Sequence, residues 1–189
     1  MDSTKGNGSV RGGSIRQLNV PGGRLRIAGT VNDSIVDGEG YRYSIFTQGC
    51  PHDCPGCHNP QTHDFQGGRE VEPDKIIRAV LANPLLEGVT FSGGEPFCQA
   101  AVLAGVAAQL HQNGLNVWCY SGYTYEQLLG CREQAVRHLL QQVDVLVDGP
   151  YLEAQRDLTL SFRGSSNQRL IDVPASLKSG SVVPYQLEE

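Results

Sequence analysis

The stretch from Thr47 to Gly68, TQGCPHDCPGCHNPQTHDFQGG, limits the fold more than any other part of the chain. Cys50, Cys54 and Cys57 stand at C-x3-C-x2-C spacing, and Gly49, Pro51, Pro55 and Gly56 surround them. Proline lacks the amide donor that a helix interior needs, and glycine is entropically poor there, so no regular helix runs through the segment. The spacing predicts a tight loop that turns three thiols toward one point. Soft sulfur ligands gathered at one point suit a metal ion or an iron–sulfur cluster.

The number of ligands separates the readings. A structural zinc site wants four protein ligands, and His52, His58 and His63 are candidates to complete a Cys3His set. A cubane held by three cysteines instead leaves one iron without a protein ligand, and an open metal position is what chemistry needs. A substrate with an amine and a carboxylate could chelate that iron. Disulfides are the weakest reading, because no secretory signal is visible and three neighbouring thiols cannot all pair. Cys98, Cys119 and Cys131 are scattered and read as small buried hydrophobes. Cys98, just beyond a glycine-rich turn, is the best of them as a ligand or reactive thiol.

Around the loop the sequence alternates strands and helices. Leu25, Ile27 and Ala28 suggest a short strand, and Tyr41–Thr47 is a β-rich run that leads directly into the cysteines. Helices are expected over Pro73–Asn83, Phe97–Asn113 and Glu133–Gln142, with a capping box at Thr124-x-x-Gln127. Strands are expected over Gly88–Phe91, Leu115–Tyr120 and Val143–Val147, with weaker candidates at Leu158–Phe162 and Arg169–Val173. The tail from Pro174 is low in pattern. This rhythm argues an α/β fold with a largely parallel sheet.

Residues 1–14, rich in Gly and Ser without an apolar period, read as a flexible leader, which leaves 15–189 as a single domain. The net charge of −5 gives no pull toward nucleic acid or an anionic membrane, and the apolar run 100–108 is too short to span a bilayer. Six cysteines without a secretory signal point to a reducing cytoplasm.

In α/β folds ligands bind at the carboxyl ends of strands. Four unusual groups fall at such ends: the cysteine loop, Ser92-Gly93-Gly94-Glu95-Pro96, Ser121-Gly122 and Asp148-Gly149. Each taken alone is a plain turn; their coincidence is the signal. Two glycines let backbone approach a ligand closely, and exposed carbonyls with the Glu95 carboxylate favour an ammonium group. Asp148 and Ser121 could accept hydrogen bonds from ribose hydroxyls, or simply cap turns. Arg163 and Arg169, flanking Ser165, Ser166, Asn167 and Gln168, could hold a carboxylate or form a solvated turn.

The cysteine triplet together with Gly93-Gly94-Glu95-Pro96 resembles the radical S-adenosylmethionine enzymes. More narrowly, Thr47–Pro60, Val145–Pro150 and Arg163–Arg169 look like the activating family of anaerobic ribonucleoside-triphosphate reductase, and Ser34–Gly38 resembles the loop that opens the site in glycyl-radical activating enzymes. The match runs from about Leu25 to Val173. It implies a partial (β/α)6 barrel. It implies a [4Fe–4S] cluster on Cys50, Cys54 and Cys57, with the amine and carboxylate of S-adenosylmethionine on the fourth iron. Gly93, Gly94 and Glu95 would meet the methionine amine, Gly56 and His58 would lie along the adenine, and Asp148 and Ser121 would sit near the ribose or methionine. Many relatives carry an aromatic immediately before the third cysteine; here it is Gly56. The implied reaction is reductive cleavage to a 5′-deoxyadenosyl radical, which installs a glycyl radical on a partner, the large chain of anaerobic ribonucleotide reductase. A flavodoxin-like protein would supply the electron. The alternatives are an activase of a pyruvate formate-lyase type of enzyme and a non-catalytic structural zinc module.

Overall fold

Side chains alternate across a strand, and in Arg42–Thr47 the alternation separates two chemistries. Tyr43 and Ile45 join the main apolar core, whereas Arg42 and Ser44 are buried polar residues on the opposite face. The same division runs through the neighbouring strands and gives the sheet a helix-covered side and a mixed polar and aromatic side. The computed structural model describes residues 13–18 and 20–187, so residues 1–12 of the expected leader lie outside the described residues.

Among the described residues the strands are β1 (Leu25–Ser34), β2 (Arg42–Thr47), β3 (Arg69–Val71), β4 (Gly88–Gly93), β5 (Asn116–Tyr120), β6 (Val145–Asp148), β7 (Arg169–Asp172) and β8 (Val183–Pro184). They form one sheet in the order β3-β1-β2-β4-β5-β6-β7-β8. β2, β4, β5 and β6 pair in parallel at its centre. β1 and β7 run antiparallel to their neighbours on either flank. Followed through these pairings, only β1 and β7 oppose the other strands, so the sheet is mixed but mostly parallel in direction.

The helices are α1 (Pro73–Leu81), α2 (Ala100–Gln112), α3 (Tyr125–Leu129), α4 (Gln134–Leu140) and α5 (Val173–Ser179). Proline opens α1, and Ile76, Ile77 and Val80 make the stripe that it buries. Leu103, Val106, Ala107 and Leu110 do the same for α2. The capping box at Thr124 and Gln127 is present at the start of α3. α1 carries the chain from β2 to β4, α2 from β4 to β5, and α3 with α4 from β5 to β6. Of the expected partial (β/α)6 barrel, the α/β class and the mostly parallel sheet are present. Three crossovers join parallel strands, and the sheet ends at β3 and β8 with antiparallel flanks.

The other face carries a second cluster, with Trp118, Val145, Val147 and Leu170 packed by Tyr120, Phe162, Tyr185 and Leu187. Arg42 lies beneath it, fully buried, bonded to Thr90 Oγ1 at 2.6 Å, Val89 O at 2.8 Å and Glu39 O at 2.9 Å, with Trp118 5.3 Å from its guanidinium. Burial pulls its pKa down to about 10. Leu158–Phe162 is not a strand: Phe162 has φ 58°, a left-handed conformation that ends any extended run. Among the described residues no helix is long and apolar enough to cross a membrane.

Candidate functional site

The cysteine loop starts where β2 ends, and backbone holds its base. Gly49 N donates to Thr62 O at 2.8 Å and Cys50 N to His63 O at 3.1 Å. The Gln48 side chain donates to Asp64 O at 2.7 Å and Gln61 O at 3.1 Å. Within the loop Cys57 N donates to Cys54 O at 3.1 Å, and Asn59 N reaches the Cys57 sulfur at 3.4 Å. Gly49 has φ +96°, and a Cβ there would lie 2.7 Å from the Phe65 ring, so only glycine fits.

The Gly93–Gly94 turn is stitched to this base. Gly94 N donates to Thr47 O and Glu95 N to Gly49 O, both at 2.9 Å. A Cβ on Gly93 would meet the Phe46 backbone at 2.6 Å, and one on Gly94 would meet Gly49 O at 2.6 Å. The two glycines are thus demanded by the close approach of β4's end to the strand that delivers the thiols.

Above them opens a cavity of about 800 Å³ at the carboxyl ends of the central strands. Cys50, Cys54, Cys57, His58, Gly93, Gly94 and Ser121 all line it. Gly56, Glu95 and Asp148 do not. Gly56 faces away: its φ is +70°, and a Cβ would run into the Glu153 carboxyl at 2.9 Å. Glu95 is fully buried beneath the wall. Its carboxylate accepts from His52 Nε2 at 2.7 Å, Gly122 N at 2.9 Å, Phe97 N at 3.0 Å and Ser121 Oγ at 3.1 Å. It ties the cysteine loop to the ends of β4 and β5. Asp148, also buried, accepts from Tyr125 N at 2.7 Å and is paired with Arg169. Arg169 reaches Glu126 as well and is spent on this network. Arg163 lines the cavity, and its buried Nε finds no partner.

Burial pushes the Cys50 thiol up to about 12 and raises Cys54 too, with the neighbouring loop thiols adding to both shifts. Cys98, Cys119 and Cys131 are buried, as small hydrophobes are. Two of the three histidines that could complete a zinc site are engaged elsewhere: His52 by Glu95 and His63 by Asp53 at 3.5 Å. Among the described residues no three His, Cys, Asp or Glu side chains gather closely enough for one metal ion. A single zinc would draw its sulfurs to within about 4 Å of each other. A cube of irons, bound at three corners, spaces them more widely.

Sequence reasoning missed His52 as a strut, Tyr151, Leu158 and Leu160, all of which line the cavity; Leu158 and Leu160 share an apolar rim with Ile35 and Val36 of the Ser34–Gly38 segment. Tyr151 follows directly on Asp148-Gly149-Pro150 at a strand end, and that position was its available signal. His52 carried no signal beyond its place between two cysteines.

Known proteins were compared with this chain. A family model described as a 4Fe-4S single cluster domain matches residues 36–171. A protein of Salmonella typhimurium is 34% identical over 143 residues, covering 71% of this chain and 90% of its own length. One of Vibrio cholerae is 35% identical over 145 residues, covering 71% and 89%. One of phage T4 is 29% identical over 143 residues, covering 71% and 86%. All three are named anaerobic ribonucleoside-triphosphate reductase-activating protein.

Proposed function

The chain belongs to the family of anaerobic ribonucleoside-triphosphate reductase-activating proteins, and we propose that it acts as an iron–sulfur activase of that kind. The observation that carries the reading is the shared cavity: three thiols from one loop and the Gly93–Gly94 turn line the same space. Cys50, Cys54 and Cys57, three free thiols on the wall of one cavity, would hold a [4Fe–4S] cluster, and three protein ligands leave such a cluster one open corner. Such a cluster would supply the electron for reductive cleavage of bound S-adenosylmethionine, the chemistry by which an activase of this kind would install a glycyl radical on the reductase.

The protein's own part is binding, orientation and exclusion of water. Gly93 and Gly94, on the cavity wall, would present backbone to the methionine amine. Arg163, on the cavity wall with its Nε unbonded, suits the carboxylate. Ser121 lines the wall beside them. Glu95 and Asp148 act from beneath as posts that fix the strand ends. Ile35, Val36, Leu158 and Leu160 form an apolar rim that a partner's chain would cover, keeping bulk water from the radical.

The finer architecture belongs to the same reading: the open sheet is a shortened form of the six-unit barrel, carried by residues 15–189 as one domain. The partner would be the large chain of the anaerobic reductase, the donor a flavodoxin-like protein, and the setting a reducing cytoplasm. The test is anaerobic reconstitution followed by assay for 5′-deoxyadenosine, with and without the reductase. About four irons per chain and partner-dependent 5′-deoxyadenosine are expected, and both are lost in Cys54→Ala. One zinc per chain with no cleavage of S-adenosylmethionine would overturn the reading.

A further inference from the structure

The position just before the third cysteine offers no ring. Gly56 lies outside the cavity, and the Glu153 carboxyl fills the room a side chain there would need. An aromatic surface stands beside the thiols all the same. The rings of His58 and Tyr151 both line the cavity, with centroids 4.9 Å apart and planes tilted by 48°. His58 follows Cys57 directly, and the Tyr151 backbone amide approaches the Cys54 sulfur. The pair therefore sits next to two of the three cysteines.

The floor beside the rings is kept low. A Cβ on Gly164 would come 3.0 Å from the Tyr151 ring and 3.2 Å from His58. Glycine there lets the chain pass close to both rings where a side chain would crowd them. Three other aromatics of the cavity, Phe162, Tyr120 and His52, have partners of their own. Phe162 packs edge-on against Trp118 at 5.4 Å, and Tyr120 bonds Phe162 O through its hydroxyl at 2.9 Å. His52 is held by Glu95 and lies against Tyr123 at 4.4 Å. Tyr151 is half-buried.

We infer that Tyr151, paired with His58 over the gap left by Gly164, is the platform on which the purine ring of the adenosyl ligand stacks. The inference rests on S-adenosylmethionine being the ligand of this cavity. It adds the residue that orients the ligand: base on Tyr151 at one end, amine on Gly93–Gly94 at the other. Base–aromatic stacking tolerates any ring with a π face, so Phe is as good as Tyr, whereas Ala and Leu are not.

The experiment measures anaerobic equilibrium binding of S-adenosylmethionine, 5′-deoxyadenosine and methionine to cluster-loaded wild type, Tyr151→Phe, Tyr151→Leu and Tyr151→Ala. Iron content and melting temperature are recorded for each. Expected is a roughly 5- to 150-fold weaker Kd for the two adenine-containing ligands in the Ala and Leu variants, the range that loss of one base stack gives. Methionine affinity and iron content stay at the wild-type value, and the Phe variant binds like wild type. Tyr151→Leu keeps apolar bulk, so it guards against a folding defect in the Ala variant. If wild type binds the adenine ligands and the Leu variant binds them equally well, the platform is overturned while the activase reading stands. If wild type binds none of them, the cofactor itself is wrong and the platform falls with it.

Discussion

Glu95 illustrates how far a single side chain can be read from sequence. The turn before it, with two glycines at a strand end, was legible because glycine pairs have a physical use there. The direction of the carboxylate was not, because a turn sequence does not say which side of the wall a side chain takes. The structure buries it completely and gives it donors from the cysteine loop, from β4's end and from β5's end. Glu95→Gln replaces one acceptor oxygen by an NH2 group that must face an N–H donor. A buried donor left without its acceptor costs roughly 1–3 kcal/mol. We expect a lower melting temperature of the metal-free protein and faster loss of iron on desalting, since His52 is released from its strut. A residue that only touched the ligand would instead weaken S-adenosylmethionine binding and leave the metal-free melt unchanged. The two measurements separate the roles. The placing of the thiols on one cavity was legible, because three cysteines within eight residues, broken by proline and glycine, cannot spread along a helix.

The elements that were legible are those with a strong local period or cap: α1, α2, the capping box of α3, and the central strands. Those that were not owe their existence to partners. β3 is three residues without alternation and forms because Val71, Glu70 and Arg69 pair with Leu25, Arg26 and Ile27. β8 likewise needs β7. α5 did carry a signal in Asp172, whose side chain accepts from Ala175 N, with a proline in the first turn and Gly180 at φ 73° closing it. Leu158–Phe162 alternated like a strand, yet its apolar residues line the cavity. Between elements, Arg169 on β7 joins Asp148 on β6 to Glu126 on α3. The Arg169 hydrogen bond holds the Glu126 carboxyl down at about 2 from its ordinary 4.5. A carboxylate with a depressed folded pKa stabilises above the unfolded value and loses that stabilisation as pH falls through the folded one. Glu126 is about half exposed, so solvent screening keeps its share below about 1 kcal/mol. Arg169→Ala also strips a buried carboxylate of its cation, which makes the loss larger. Expected is a lower melting temperature for Arg169→Ala at pH 7. The gap to wild type should narrow as pH falls from about 4.5 toward 2, because wild type then loses the Glu126 contribution. A gap that stays constant through this range would remove the Glu126 contribution from the account.

At the size of the whole molecule, the alternating rhythm gave the α/β class, but it could not say where the sheet stops. That depends on which edges find partners, and edge pairing is a long-range property of the chain. The face away from the helices is closed by two segments far apart in sequence. Gly38 passes so near that a Cβ would lie 2.8 Å from both Trp118 and the Arg42 side chain. Tyr185 comes from the other end, its amide on Leu170 O at 2.9 Å, its hydroxyl on Glu39 Oε2 at 2.7 Å, and its ring 5.4 Å from Trp118. Trp118 is the sole tryptophan and is 2% exposed, so its emission reports on this closure alone. Tyr185→Ala removes an aromatic neighbour and opens that face of Trp118 to water. Large-to-small changes at packed aromatics cost up to about 3–5 kcal/mol when fully buried, and less at a partly exposed ring such as this one. The expected result is a shift of Trp118 emission to longer wavelength with a lower melting temperature. Tyr185→Phe should keep the emission and lose only the bond to Glu39. Because Glu39 lies two residues from Asp37, which lines the cavity, the Ala variant should also loosen that wall and raise hydrogen exchange over residues 35–41. Unchanged emission in Tyr185→Ala would mean that the sheet's open side is sealed by the Gly38 loop without help from the C-terminal segment.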